Sequence, residues 1–503
     1  MPMKRRDFLR LSGGSSLLAL GGAGLLANLP PVHAADVQLE PRRVQLRPEI
    51  EPLVRFIEDT PRDRLLEEVA ARIRRGLTYR ELLTALMLAG VRNVQPRPVG
   101  FKFHAVLVIH SAHLASIDSP DTDRWLPLFW ALDYFKSSQA ADVREGDWSM
   151  APVRERDLPA SDKARQAFID AMDRWDESAA DAAIASWVRT ASVHDLFDVF
   201  CRYGVRDFRE IGHKAIYVAN SFRTLEVIGW QHAEPVLRSL AYALLDRNGE
   251  KANPSESDLP ADRPFRRNLE VLDAVPGNWL AGKPDSEATR ELLDTIRTKS
   301  ARESGESALG LLQQGVAPAS IFDACFDAAG ELLMRAPGIL ALHAVTYSNA
   351  VHYAWQRCHS DATRRLLLLQ NASFLPLFKS RRQSNQENLD QLEPLPLEHQ
   401  GEEAIVEIFA DVSRDRMTAA RKVLAYLETH PDPEPIAVAA RQLIFTKGRD
   451  AHDYKFSSAV LEDFRFISPP WRNRYLAASM FNLHGSGDKD NSLIQRTRAA
   501  LNG

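Results

Sequence analysis

Residues 311–352, LLQQGVAPASIFDACFDAAGELLMRAPGILALHAVTYSNAVH, align without a gap on residues 72–113, RIRRGLTYRELLTALMLAGVRNVQPRPVGFKFHAVLVIHSAH, and this correspondence decides the fold. It sets His343 on His104, His352 on His113 and Asn349 on His110. A third copy, WVRTASVHDLFDVFCRYGVRDFREIGHKAIYVANSFR (187–223), fits with a shorter loop and brings His213 to the place of His104. A fourth, looser copy, YLETHPDPEPIAVAARQLIFTKGRDAHDYKFSSAVLEDF (426–464), brings His452 and Lys455 near the same place. Self-similarity of this length marks a repeat-built architecture.

Each copy runs on into a further apolar segment: LPLFWALDYF (126–135), PVLRSLAYALL (235–245), RRLLLLQNASF (364–374) and WRNRYLAASMFNL (471–483). Thr78 followed by Glu81 is a capping-box pattern, so the first segment of that unit is a helix. Leu, Ala, Arg and Glu dominate the segments, with Pro and Gly between them. The runs AVLVI (105–109) and IYV (216–218) have strand-like composition, but segment length and repeat context favour helix. The expected fold is all-α, with four repeated helical units closing around a central His-rich site, as bundles do when they hold metals. The units span approximately 62–137, 180–246, 304–377 and 404–484 within a domain of 35–503. Each reads as a short helix, a His-bearing helix and a packing helix. Polar linkers are expected at 136–163, 246–266 and 378–403, the last two lid-like.

The chain has 503 residues, 45% hydrophobic and 26% charged, the composition of a globular protein with ample material for a core. Residues 1–34 stand apart. KRRDFLR (4–10) precedes an uncharged, Gly- and Ser-rich apolar stretch that ends in Val32-His33-Ala34. That pattern reads as a cleaved export signal, and Arg5-Arg6 followed by Asp-Phe-Leu resembles the twin-arginine type. The expected location is periplasmic or secreted, with the twin-arginine export machinery as a partner. No later stretch is long and apolar enough to span a bilayer, so no stable membrane span is expected after cleavage. The whole chain carries a net charge of −4, and removing the basic leader makes the remainder more acidic, a poor match to nucleic acid. Cys201, Cys325 and Cys358 allow at most one disulfide, and no C-x-x-C pair is present. This excludes a disulfide scaffold, thiolate zinc sites and CxxCH haem attachment.

Polar groups inside apolar runs are costly to bury without partners. His343 and His352 are about two and a half helical turns apart and point to opposite sides of one helix. His343 therefore looks one way, and Asn349 with His352 the other. The economical arrangement has His104, His213, His343 and His452 meeting at one point, joined by Lys455. Neutral imidazoles suit zinc, copper, iron or nickel. An ammonium has no lone pair, so Lys455 would ligate only as the free amine or as a carbamate. His110, His113, Tyr217, Asn220, Asn349 and His352 form a candidate layer behind the ligands or facing a small-molecule substrate. His232, in GWQHAEPVLRSL (229–240), is a candidate general base. Arg223 and Arg238 are expected to pair with Glu226 and Glu234.

Four segments together, FHAVLVIHSAHLAS (103–116), GHKAIYVAN (212–220), LHAVTYSNAV (342–351) and AHDYKFSSAV (451–460), resemble the motif series of questin-oxidase-like proteins, which oxidatively open anthraquinone-type rings. The resemblance runs in order over most of the chain after residue 34. It implies an all-helical oxygenase with one non-haem metal, iron in the first instance, held by His104, His213, His343 and Lys455, with His452 as a further ligand. Tyr217 stands where family members carry a second histidine. Two other classes stay open: a non-catalytic helical scaffold or metal-binding module, and a zinc-dependent hydrolase. No GxSxG, HExxH, Walker A or well-placed GxGxxG motif supports the better-marked enzyme classes.

Overall fold

The Thr78 side chain accepts the Glu81 amide, and the Glu81 carboxylate accepts the Thr78 amide, a reciprocal cap that starts the Tyr79–Asn93 helix. Ser192 caps Val193–Gly204 by accepting the Asp195 amide, and Asp450 with Asp453 caps Ala451–Asp463 reciprocally. Pro318 sets the first turn of Pro318–Arg335, where a missing amide costs nothing. These signals recur along a computed structural model that describes residues 43–380 and 386–502. The described residues are all-α: no strand occurs among them, and one isolated bridge joins Lys283 to Val316. The strand-like runs AVLVI and IYV are helical, the first with a break at Val108.

The helix order repeats. Tyr79–Asn93, then His104–Leu107 with Ile109–Ile117, then Leu126–Glu145, make one triplet. Val193–Gly204, His213–Ile228 and Ala233–Leu244 make the second, and Pro318–Arg335, Ile339–Arg357 and Asp361–Phe374 the third. Glu434–Lys447, Ala451–Asp463 and Pro469–Ser479 make the fourth. A pair of helices precedes each triplet, for example Ala164–Arg174 with Glu177–Trp187, and Gly401–Val412 with Arg416–Thr429. The structural unit is thus longer than the three segments that sequence alignment reveals.

The middle helices of the triplets form a ring. The Ile109–Ile117 helix packs on His213–Ile228, which packs on Ile339–Arg357, which packs on Ala451–Asp463, which closes on Ile109–Ile117. The site histidines all lie near the N-terminal ends of these helices. His104 and His213 open theirs, His452 follows the opening residue of its own, and His343 lies one turn in. Residues further along three of these helices also meet, Arg223 with Asn349 and Glu462, so they run side by side in the same direction. The fourth unit differs in its outer helix: Pro469–Ser479 packs mainly on Pro318–Arg335 and Arg416–Thr429.

Two expected linkers are ordered elements. Residues 136–145 continue the Leu126–Glu145 helix because its polar side chains find partners. Lys136 Nζ donates to the Ile57 and Glu58 carbonyls, and Asp142 accepts the Gln95 and Trp148 amides and pairs with Lys102 at 2.8 Å. Residues 246–266 are pinned by buried Arg209, which pairs with Glu250 at 3.0 Å and with Asp262. This is an anchored segment, not a lid. Part of the third linker, residues 381–385, and the stretch 1–34 expected to be an export signal lie outside the described residues. No described helix is long and apolar enough to cross a membrane.

Candidate metal centre

Four histidines from four units converge. One ring nitrogen from each of His104, His213, His343 and His452 lies within 4.8 Å of the others. The Nε2 atom of His213 is 3.0 Å from Nε2 of His104 and 2.8 Å from Nε2 of His343. The fourth ring, His452, has its centroid 4.5 Å from that of His104 and 5.2 Å from that of His343. Its buried Nε2 has no hydrogen-bond partner.

The other ring nitrogen fixes the tautomer. Nδ1 of His104 lies 2.8 Å from the Phe101 carbonyl, Nδ1 of His213 lies 2.9 Å from the Glu210 carbonyl, and Nδ1 of His343 lies 2.6 Å from the Ile339 carbonyl. A carbonyl only accepts, so each Nδ1 carries the proton, and in the neutral ring Nε2 carries a lone pair. Burial, reinforced by Lys455, holds His104 and His213 well below the usual imidazole range; burial and then His213 do the same for His343. Neutral rings therefore aim bare lone pairs at one another across 2.8–3.0 Å. That contact is repulsive unless a cation sits between the nitrogens. Two nitrogens each about 2.1 Å from one ion and at right angles to it lie about 3.0 Å apart; tetrahedral placement would spread them to about 3.4 Å. The spacing fits adjacent positions around an ion of higher coordination number.

His452 is held differently. Its Nδ1 lies 3.3 Å from a carboxylate oxygen of Asp450, the residue that caps its helix. A carboxylate behind a ligating imidazole fixes the ring and raises its basicity. Lys455, one turn further on, is buried, and its Nζ has no hydrogen-bond partner. Burial pushes its ammonium down to about 7, against the opposing pull of Asp450. The parallel helix starts add their positive dipole ends to this point, which favours neutral imidazoles and an anionic companion to any bound cation.

Unusual backbone supplies the carbonyl clamps. Gly100 (φ +148) and Phe101 (φ +45) precede His104, and Ile211 (φ +43) and Gly212 (φ +87) precede His213. Positive φ is rare for a non-glycine residue and rarer for a β-branched one; such strain costs on the order of 1–3 kcal/mol and clusters at functional sites. A Cβ at Gly212 would come within 2.9 Å of the Tyr347 ring, and one at Gly100 within 3.3 Å of the His213 ring. The chain behind His104 breaks at Val108, and Asn220 of the neighbouring ring helix donates to the Leu107 carbonyl there at 2.8 Å.

The remaining candidates separate. His110 and Asn349 face the space enclosed by the ring. Asn349 donates to Glu462 and Asp463, both at 2.8 Å, and accepts from Arg223. None of these side chains clamps a site imidazole; main-chain carbonyls and Asp450 do that. His113 bonds to the Tyr79 hydroxyl, and Tyr217 donates to Ser239. His352 sits among Phe322, Phe326, Trp355 and Phe466, where burial pushes its imidazole down to about 4. The structure does not bring His232 to the cluster. It follows the far end of the His213–Ile228 helix, about 24 Å of helix away from His213, and its charged neighbours are Arg47, Glu49 and Arg80. The expected arginine pairs are also replaced: Arg223 binds Glu462 and Arg238 binds Asp181. Sequence reading missed Asp450, for which the cap spacing Asp450–Asp453 was the available signal, and the three carbonyl clamps, which have no side-chain signature. No family model, curated protein or solved structure matches this chain.

Proposed function

We propose that the chain is an exported, metal-dependent oxidoreductase of the oxygenase type, similar to questin-oxidase-like proteins, acting on a small aromatic or quinone-like substrate. The observation that carries the reading is the set of three proton-locked imidazoles whose Nε2 lone pairs point at one place. His104, His213, His343 and His452 would hold the ion. Neutral nitrogen donors at right-angle spacing suit iron or copper better than a tetrahedral zinc, which favours oxygenase over hydrolase. When bound, iron would supply one-electron chemistry toward dioxygen.

The protein's own residues do the rest. The Phe101, Glu210 and Ile339 carbonyls keep the Nδ1 protons in place, so the Nε2 atoms stay available. Burial keeps water from protonating the rings. Lys455, unpartnered beside them, would join as the free amine or as a carbamate formed by adding carbon dioxide to that amine with release of a proton, which gives the anionic oxygen donor that the helix dipoles favour. The twin-arginine-type leader supports export after folding, with the ion already loaded. The test is dioxygen uptake by iron-loaded protein in the presence of hydroxylated anthraquinones. Uptake that depends on both the aromatic and His343 supports the reading. Iron-loaded protein that consumes no dioxygen with any hydroxylated aromatic overturns it.

A further inference from the structure

The ring encloses more than the histidine cluster. Beyond it, toward the C-terminal ends of the four helices, runs a narrow polar bore to which every ring helix contributes, through His110, Asn220, Thr346, Asn349, Lys455 and Ser458 among others. The space open to the centre of a water molecule is about 10 Å³, room for roughly one ordered water. Its inner end is Lys455, next to the cluster. Leu114, Ser458 and Glu462 line both the bore and a groove on the outside of the ring, so these side chains stand between the two spaces. At that junction three helices are tied together. Arg223 donates to Glu462 at 2.6 Å and to Asn349 at 3.1 Å, and Asn349 donates to Glu462 at 2.8 Å.

Two buried polar atoms inside the bore have no partner: Nδ1 of His110 and Nζ of Lys455. Their residues are 8% and 3% exposed. An unmet polar atom in an enclosed space costs on the order of 1–3 kcal/mol, and such a space holds a polar guest more readily than a hydrocarbon. The enclosed size admits about one heavy atom as it stands, so a ligand of two or three heavy atoms passes only when the Arg223–Glu462 bridge moves. An aromatic substrate does not pass by this bore and needs a different approach to the cluster.

We infer that the bore is the route by which a small, hydrogen-bond-accepting ligand of the size of peroxide or azide reaches the histidine cluster, with the Arg223–Glu462–Asn349 tie as its gate. This rests on the metal reading above. Ser458, half-buried and shared by bore and groove, is the constriction. Glu462 is the gate's exposed member, its side chain 30% exposed.

The test is the rate of azide binding to iron-loaded protein, followed by the azide-to-iron absorption band in stopped flow; this reads access and not turnover. Ser458→Leu narrows the bore and slows binding by on the order of tenfold, and Glu462→Ala unties the gate and speeds it. Helical content and iron content are measured on both variants. If Ser458→Leu does not fold, the Glu462→Ala acceleration alone decides. Unchanged rates in iron-loaded variants overturn the route while leaving the metal reading standing. Failure of the parent chain to bind iron sinks the metal reading instead.

Discussion

His343 and His352 belong to one helix, are both buried, and are both flanked by apolar residues. One end of the Ile339–Arg357 helix puts its histidine among three others, with Nδ1 tied to a carbonyl and Nε2 directed at a neighbour's lone pair. The other end wraps its histidine in aromatic rings. Burial and residue type do not distinguish them. What does is a dedicated partner on the far nitrogen together with convergence of separate chain segments on the near one.

The largest expected break in this symmetry is in metal content. Elemental analysis of His343→Ala should find essentially none of the ion, while His352→Leu keeps about one per chain. Loss in both variants would mean the helix as a whole matters and not the cluster.

The second effect is pH-dependent stability. Burial pushes the folded His352 imidazole down from an ordinary 6.5 to about 4. As pH falls below the ordinary value the unfolded chain takes up the proton first. The stability present above 6.5 is therefore lost as pH falls toward 4, up to about 3 kcal/mol from this residue. Denaturant titrations at several pH values should show His352→Leu free of that part of the loss, so that it gains on the parent as the solution is acidified. Parallel curves for the two proteins would contradict the aromatic-box account.

A smaller change should come from the carboxylate behind His452. Asp450→Asn keeps a helix cap but removes the charge facing Nδ1, and should weaken metal affinity about 10–100-fold in competition with a chelator. The smallest concerns backbone strain. Phe101 is 73% exposed and sits at φ +45. Phe101→Asn suits that conformation and should stabilise the protein by about 0.5–1 kcal/mol in chemical unfolding with unchanged metal content. A loss of metal would show that the phenyl ring, and not its carbonyl, serves the site.

The sequence exposed the register of the site better than its support. A gap-free repeat sets His104 against His343, and a single shortened loop adds His213, so three of the four histidines in the cluster were legible as equivalents. His452 was found through a looser alignment, and its unit is the one whose outer helix packs differently and whose clamp is a carboxylate. The helix pairs ahead of each triplet differ in length, so no gap-free alignment runs through them. His232 is close in sequence to a packing helix, but the His213–Ile228 helix carries it away from the cluster. Tyr217 and His113 read as candidates because they are polar in apolar runs; Ser239 and Tyr79 satisfy them. The carbonyl clamps were invisible in principle, since every residue carries the same group and only the strained turns at Phe101 and Ile211 aim it.

X-ray absorption at the edge of the bound metal tests the central claim most directly. The account predicts imidazole scattering from at least three histidines, with nitrogen at about 2.1 Å and no sulfur. A first shell of oxygen alone, or one containing thiolate, would contradict it.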